Sequence, residues 1–139
     1  MSSENLFDVK DKVVILVGAT GLLGRQYSES LSEAGANVVL ADLNFSDCKK
    51  LESTLRTKFN VNPFSVKVDI TKKRSITEMV KKVMKYYSKI DILINNAIFP
   101  EGFKERSVGF ENFSLSVWNK VLSVNLTGVF LCCQEVGKV

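Results

Sequence analysis

Apolar residues run almost without interruption at Val13–Val17, Val38–Ala41, Phe64–Val68 and Ile92–Asn95. Short continuous runs suit strands that are covered on both faces, whereas a half-exposed strand would alternate apolar with polar. Between the runs, apolar positions recur every three or four residues, which predicts helices over Leu22–Ala34, Asp47–Lys58 and Ser75–Ser88. The punctuation agrees with the period. Ala34-Gly35-Ala36-Asn37 supplies a glycine stop for the first helix, and Thr71 or Ser75 is placed to cap the third. Regular alternation of strand and helix predicts an α/β fold of parallel strands joined by crossover helices.

After Asn95 the texture changes. Phe99–Ser114 holds Pro100, Gly102 and Gly109 among polar and aromatic residues and has no clear period, so it reads as a long loop. A loop beyond the carboxyl end of a strand stands where ligands bind in open α/β sheets. Both a substrate-contacting segment and a plain irregular connection fit it. From Leu115 to Val139 helical spacing returns, with Val117, Trp118, Val121, Leu122, Leu126, Val129 and Phe130 apolar.

The chemistry gathers where the first strand meets the first helix. Val13–Val17 leads into Gly18-Ala19-Thr20-Gly21-Leu22-Leu23-Gly24, and the next apolar run ends in Asp42. Glycines at the start of a helix let backbone N–H groups approach a pyrophosphate, which the positive end of the helix dipole favours. Asp42 follows Gly24 by about 18 positions, close to the roughly 20 of the dinucleotide fingerprint. Its carboxylate suits ribose hydroxyls and repels a 2′-phosphate, and neither Leu43 nor Asn44 offers a cation, so NAD is preferred to NADP. Two plainer roles stay open: glycines that let a helix pack tightly on a strand, and an aspartate that ends a strand. Arg25-Gln26 after the last glycine excludes the lysine and hydroxyl residue of a phosphate-binding P-loop.

Composition narrows the alternatives. The 139 residues, 45% hydrophobic and 24% charged, make one soluble domain spanning 1–139. The net charge of +4 comes largely from Lys72, Lys73, Arg74, Lys81, Lys82, Lys85 and Lys89. No aromatic residues interleave with these cations to stack bases, so a solvated helix face is expected and not nucleic-acid binding. Cys48, Cys132 and Cys133 lack the spacing of a disulfide framework or zinc site, which suits a reducing cytoplasm. Met1–Asp11 has no apolar signal region, and no uninterrupted apolar run approaches the roughly 18 residues of a membrane span. With no histidine in the chain, Ser-His-Asp and Cys-His catalysis and imidazole metal sites are excluded, and no metal is expected.

Four further segments extend the pattern: Ala41-Asp42-Leu43, Val68-Asp69-Ile70-Thr71, Asp91–Ala97 with its Asn95-Asn96-Ala97 end, and Trp118–Gly128 with Val124-Asn125-Leu126-Thr127-Gly128. Together with the glycines they resemble the N-terminal half of a short-chain dehydrogenase/reductase, over almost the whole chain. The resemblance implies a Rossmann-like three-layer αβα fold with strand order 3-2-1-4, cut before a fifth strand. It implies that Asp69 binds the adenine amino group and Ile70 lines the same pocket. Asn96 and Ala97 would close the fourth strand beside the cofactor, and Asn125 would order a water in a proton relay. The expected cofactor-binding set is therefore Gly18, Thr20, Gly21, Leu22, Leu23, Gly24, Asp42, Leu43, Asp69, Ile70, Asn96 and Ala97, with Asn125 catalytic.

Two departures stand out. Leu22 occupies the middle glycine's place of the commonest branch, and this glycine spacing resembles the extended branch that acts on nucleotide sugars. Ile98 stands where the family usually has glycine, narrowing the approach to the cofactor. In the family, hydride transfer uses a serine and a Tyr-x-x-x-Lys pair, which place phenol and ammonium on one helix face. Tyr27, Tyr86 and Tyr87 are followed at +4 by Leu31, Ile90 and Asp91, so none qualifies. The resemblance thus implies an NAD-dependent oxidoreductase of small alcohols or carbonyls that is catalytically incomplete as this chain. A non-catalytic NAD-binding module is the alternative; a nucleotide-sugar epimerase or dehydratase, or a methyltransferase of similar fold, follows behind. Beyond a small-molecule substrate, the expected partner is a second copy of the chain, through the 115–139 helix, which in the family packs on another subunit.

Overall fold

A computed structural model describes residues 8–99 and 108–139. Four parallel strands, β1 (Val13–Val17), β2 (Asn37–Asp42), β3 (Phe64–Lys67) and β4 (Ile92–Asn95), stand in the order β3-β2-β1-β4. Helices α1 (Leu22–Glu33), α2 (Phe45–Phe59) and α3 (Lys73–Tyr87) make the crossovers. The chain moves outward from β1 to β3 and then returns to β4. Right-handed crossovers put helices of the two directions on opposite faces, which yields three layers.

The core follows the pleat of β1, whose five residues are all buried. Val13, Ile15 and Val17 meet Met79 and Val83 of α3, while Val14 and Leu16 meet Cys48, Leu51 and Leu55 of α2. Every side chain of this strand therefore packs against helix, as its uninterrupted apolar run requires. Register aligns the carboxyl ends of the strands: Val17 lies opposite both Ala41 and Asn95, and Asp42 opposite Lys67. The residues that follow each strand consequently emerge along one edge of the sheet.

Helix ends show where sequence spacing and structure differ. The α1 stop is as expected: Gly35 adopts φ +82°, with its N–H bonded to Ser32 O and that of Ala36 to Leu31 O, a Schellman motif. α2 starts at Phe45, two residues before the expected Asp47, because the Asn44 side chain accepts the Asp47 N–H and caps the helix. α3 starts at Lys73, and neither Thr71 nor Ser75 caps it. The Ser75 hydroxyl instead accepts the Asp69 N–H, and the Thr71 hydroxyl donates to the Asp69 carboxylate.

The expected loop at Phe99–Ser114 lies outside the described residues between 100 and 107; its later part holds a 3-10 turn at Phe110–Asn112. Beyond it, α4 (Leu115–Leu122) passes through a π-helical stretch, Ser123–Gly128, into α5 (Val129–Val136). The continuous helix of 22 residues is long and apolar enough to cross a membrane by length and composition. The apolar run is interrupted in sequence, as expected, by Asn119, Lys120 and Asn125, but these do not lower its average below that of a span. Its α5 part docks on α3 and β4, where Cys132 is buried against α3 and the Glu135 carboxylate receives Lys73, Thr77 and Lys138.

Candidate cofactor site

Along the carboxyl edge of the sheet runs a cavity of about 520 Å³, within the size of a small-molecule site. Eleven of the expected cofactor-binding residues line it: Gly18, Thr20, Gly21, Leu22, Leu23, Asp42, Leu43, Asp69, Ile70, Asn96 and Ala97. Thr71, Ile98, Phe99 and Val124 line it as well. Ile98 stood out in the sequence as a departure from the family; Thr71 and Val124 lie inside family-like segments and Phe99 opens the expected loop, but none of the three was expected to bind the cofactor.

The three glycines do different work. Gly18 adopts φ +82°, and a Cβ there would stand 2.6 Å from the Ala97 nitrogen. Its carbonyl accepts Asn96 Nδ2 at 3.0 Å, and Asn96 N–H donates to Val17 O, so the ends of β1 and β4 are tied together. Gly24 is buried and does not line the cavity. A Cβ on it would lie 2.2 Å from Gly18 O, so it is needed for the close approach of α1 to the turn rather than for contact with a ligand. Gly21 is the reverse case. Its nearest neighbour to an added Cβ is 3.6 Å away, so nothing among the described residues demands glycine there.

Gly21 is also the N-cap of α1, with no side-chain cap and no acidic residue in the first turn. The first N–H groups of a helix have no partner within it, and an anion at this end satisfies them and the dipole together. Leu22 and Leu23 carry those groups at the cavity wall.

The Asp42 carboxylate is held from three sides: Thr20 N–H at 3.0 Å and Thr20 hydroxyl at 2.8 Å on Oδ2, and Asn44 N–H at 3.0 Å on Oδ1. A carboxylate with about four lone-pair sites keeps acceptor capacity after these three bonds. Asp69 takes Thr71 N–H and hydroxyl on Oδ1 and Lys72 Nζ, 3.1 Å away, on Oδ2. Burial pushes the Asp69 carboxyl up, but the bonds from Thr71 and Lys72 outweigh it and hold the group below the usual carboxylate value. Both carboxylates are thus oriented before any ligand arrives. The sequence also gave no hint of Arg25, whose Nε donates to Thr20 O and places a guanidinium near Asp47.

Asn125 sits in the π-helical stretch and does not line the cavity. Its Oδ1 accepts the Phe99 N–H at 2.9 Å, which anchors the segment leaving β4. π-Helical turns open room in a helix and occur often at functional sites. A dinucleotide fits this donor set: open helix N–H groups and an unfilled Gly21 Cβ position at the centre, with acceptor carboxylates to one side.

The edge cleft, strand order and glycine turn define a Rossmann-type nucleotide fold. A family model described as short chain dehydrogenase matches residues 12–139. The chain belongs to that family. It is 36% identical over 135 residues to the NAD-dependent glycerol dehydrogenase of Listeria innocua, covering 95% of this chain and 48% of that one. Among solved structures, an NAD+-bound xylitol dehydrogenase superposes with a TM-score of 0.83 at 27% identity, covering 94% of this chain and 48% of that one. A short-chain type dehydrogenase/reductase from Mycobacterium marinum reaches a TM-score of 0.86 at 24% identity, with coverages of 99% and 53%, and attests the fold. The chain spans about half the length of the curated relatives it matches.

Proposed function

We propose that the cavity is the NAD(H) site of a short-chain oxidoreductase acting on a small alcohol or carbonyl compound. The observation that carries this is Gly21: a glycine not required by its own fold stands at an uncapped helix N-terminus inside a cavity flanked by two preset carboxylates. The α1 N-terminus would bind the pyrophosphate, Asp42 the adenosine ribose hydroxyls, and Asp69 the adenine amino group. Asp42 sets NAD ahead of NADP, because a 2′-phosphate would meet a carboxylate. When bound, the nicotinamide supplies or accepts the hydride. The relatives named for glycerol and xylitol, with NAD in both names, support this cofactor and substrate class.

These residues bind the cofactor but do not by themselves turn substrate over. None of the tyrosines lines the cavity. Burial pushes the Tyr87 phenol well above its usual value, away from what an acid/base tyrosine needs at neutral pH. Asn125, which anchors Phe99, would order a water in the proton relay. A reducing cytoplasm suits its three free thiols. The exposed Leu115, Trp118, Leu126 and Phe130 suit a self-association face along the continuous helix from α4 through the π-helical stretch to α5.

Calorimetric titration tests the reading. NADH should bind saturably and NADPH at least about tenfold weaker, with no substrate-dependent change in absorbance at the reduced-nicotinamide band. Tighter binding of S-adenosylmethionine or a nucleotide sugar than of NADH would overturn it.

A further inference from the structure

Of the three donors that hold the Asp42 carboxylate, only one depends on which side chain is present. The N–H groups of Thr20 and Asn44 are backbone, and any residue but proline would supply them; the Thr20 hydroxyl, 2.8 Å from Oδ2, is the exception. Thr20 is itself fixed from the other side. Its carbonyl accepts Arg25 Nε at 3.0 Å, and the N–H groups of Gly18 and Ala19 donate to Ala41 O at 2.8 and 3.4 Å, which ties the turn to the end of β2. A β-branched side chain has few χ1 states to lose, so the hydroxyl meets Asp42 at little entropic cost.

In the dinucleotide reading Asp42 has two tasks, to accept from the ribose hydroxyls and to repel a 2′-phosphate. Both need the carboxylate to stay still. One that swings about its own bonds misaligns the hydrogen bonds it accepts and can move its charge away from an incoming phosphate. Resting on that reading, we infer that Thr20 is a positioning residue for the cofactor: its hydroxyl fixes the Asp42 carboxylate, and its effect on a bound dinucleotide passes through Asp42. Thr20 also lines the cavity, so direct contact with the ligand is the competing account. The two separate once Asp42 is removed, because an effect carried by the carboxylate vanishes with it and a direct contact persists.

The experiment is titration calorimetry with NADH and NADPH on the parent, Thr20→Val, Thr20→Ala, Thr20→Ser, Asp42→Ala and the double variant Thr20→Val with Asp42→Ala. Valine keeps the backbone donor and the branched shape but removes the hydroxyl. Thr20→Val should weaken NADH about fivefold, the scale of one hydrogen bond, and NADPH by less than about twofold, so that the ratio between them narrows. A general loss of structure would weaken both alike. Thr20→Ala, which removes the hydroxyl without the branch, should narrow the ratio in the same way. Thr20→Ser restores the hydroxyl and should return both affinities to within about twofold of the parent. In the Asp42→Ala background, Thr20→Val should change NADH affinity by less than about twofold. A ratio unmoved by Thr20→Val and Thr20→Ala, a serine variant as weak as the valine one, or an about fivefold loss that persists without Asp42 overturns this inference and leaves the site reading standing. Failure of the parent to bind NADH overturns both.

Discussion

Adding one methyl group at Gly24 or at Gly21 separates what the fold needs from what a ligand needs. In Gly24→Ala the new Cβ would lie 2.2 Å from Gly18 O and 2.8 Å from Ala19 C and O, all backbone atoms that cannot swing aside. α1 must lift off the turn, and overpacking of this kind costs about 3 kcal/mol or more. For a chain of this size, each kcal/mol lowers Tm by about 3–5 °C, so a fall of at least about 10 °C is expected. In Gly21→Ala the nearest atom is 3.6 Å away and φ is −67°, which alanine adopts freely. The narrower unfolded ensemble stabilises by about 0.4–1 kcal/mol, while alanine is a poorer N-cap than glycine by a similar amount. Tm should therefore stay within about 3 °C of the parent. NADH affinity should nevertheless drop about tenfold or more, since the methyl occupies the pyrophosphate's approach. Thermal unfolding followed by circular dichroism and titration calorimetry read the two effects separately. An unchanged Tm for Gly24→Ala, or full NADH affinity in Gly21→Ala, would refute the division of roles.

Three further outcomes are expected. Asp42→Ala should weaken NADH binding about tenfold or more, since bonds to a charged acceptor are each worth about 1.5–3 kcal/mol, and should narrow the gap to NADPH in the same titration. Asp91 is held below the usual carboxylate value chiefly by the Val13 N–H, 2.7 Å away, and also by Lys89. A depressed folded value means that its contribution is present above the unfolded value of about 3.9 and is lost as pH falls through the folded one. Asp91→Asn should accordingly lower stability at pH 7 and flatten its decline as pH falls below about 4, read by urea unfolding across the acid range. Leu126→Glu with Phe130→Glu, both at exposed sites, should leave unfolding free energy within about 1 kcal/mol while turning any self-associated species monomeric by sedimentation velocity. Association that survives the double substitution would exclude this face.

The parts of the fold that sequence made legible are those in which one residue's environment follows from its neighbours in the chain. Val13–Val17 and Ile92–Asn95 are strands as read, because a sheet buried between helix layers admits no polar alternation. Gly35 ends α1 as read, since a left-handed residue is a local requirement. What spacing could not supply is the choice among competing hydrogen-bond partners. Ser75 looked like a cap, but the Asp69 N–H lies within its reach once β3 has turned, and the bond goes there. Asn44 looked only like a residue without charge, yet it fixes the start of α2.

The site divides along the same line. Most of the cavity-lining residues could be read from motifs, because they stand at or just after strand ends that the register brings to one edge; Val124, from the helical stretch, does not. Their states could not. Asp42 is anchored by Thr20, which lies far from it in sequence, and Asn125, in the π-helical stretch, accepts a bond from Phe99 of the segment leaving β4. An extra residue per turn leaves no mark in an apolar pattern as coarse as Val121, Leu122, Leu126, Val129 and Phe130. Ile98 shows the remaining case: its departure from glycine was visible, but only the folded chain, which brings the segment leaving β4 to the glycine turn, places it on the cavity wall.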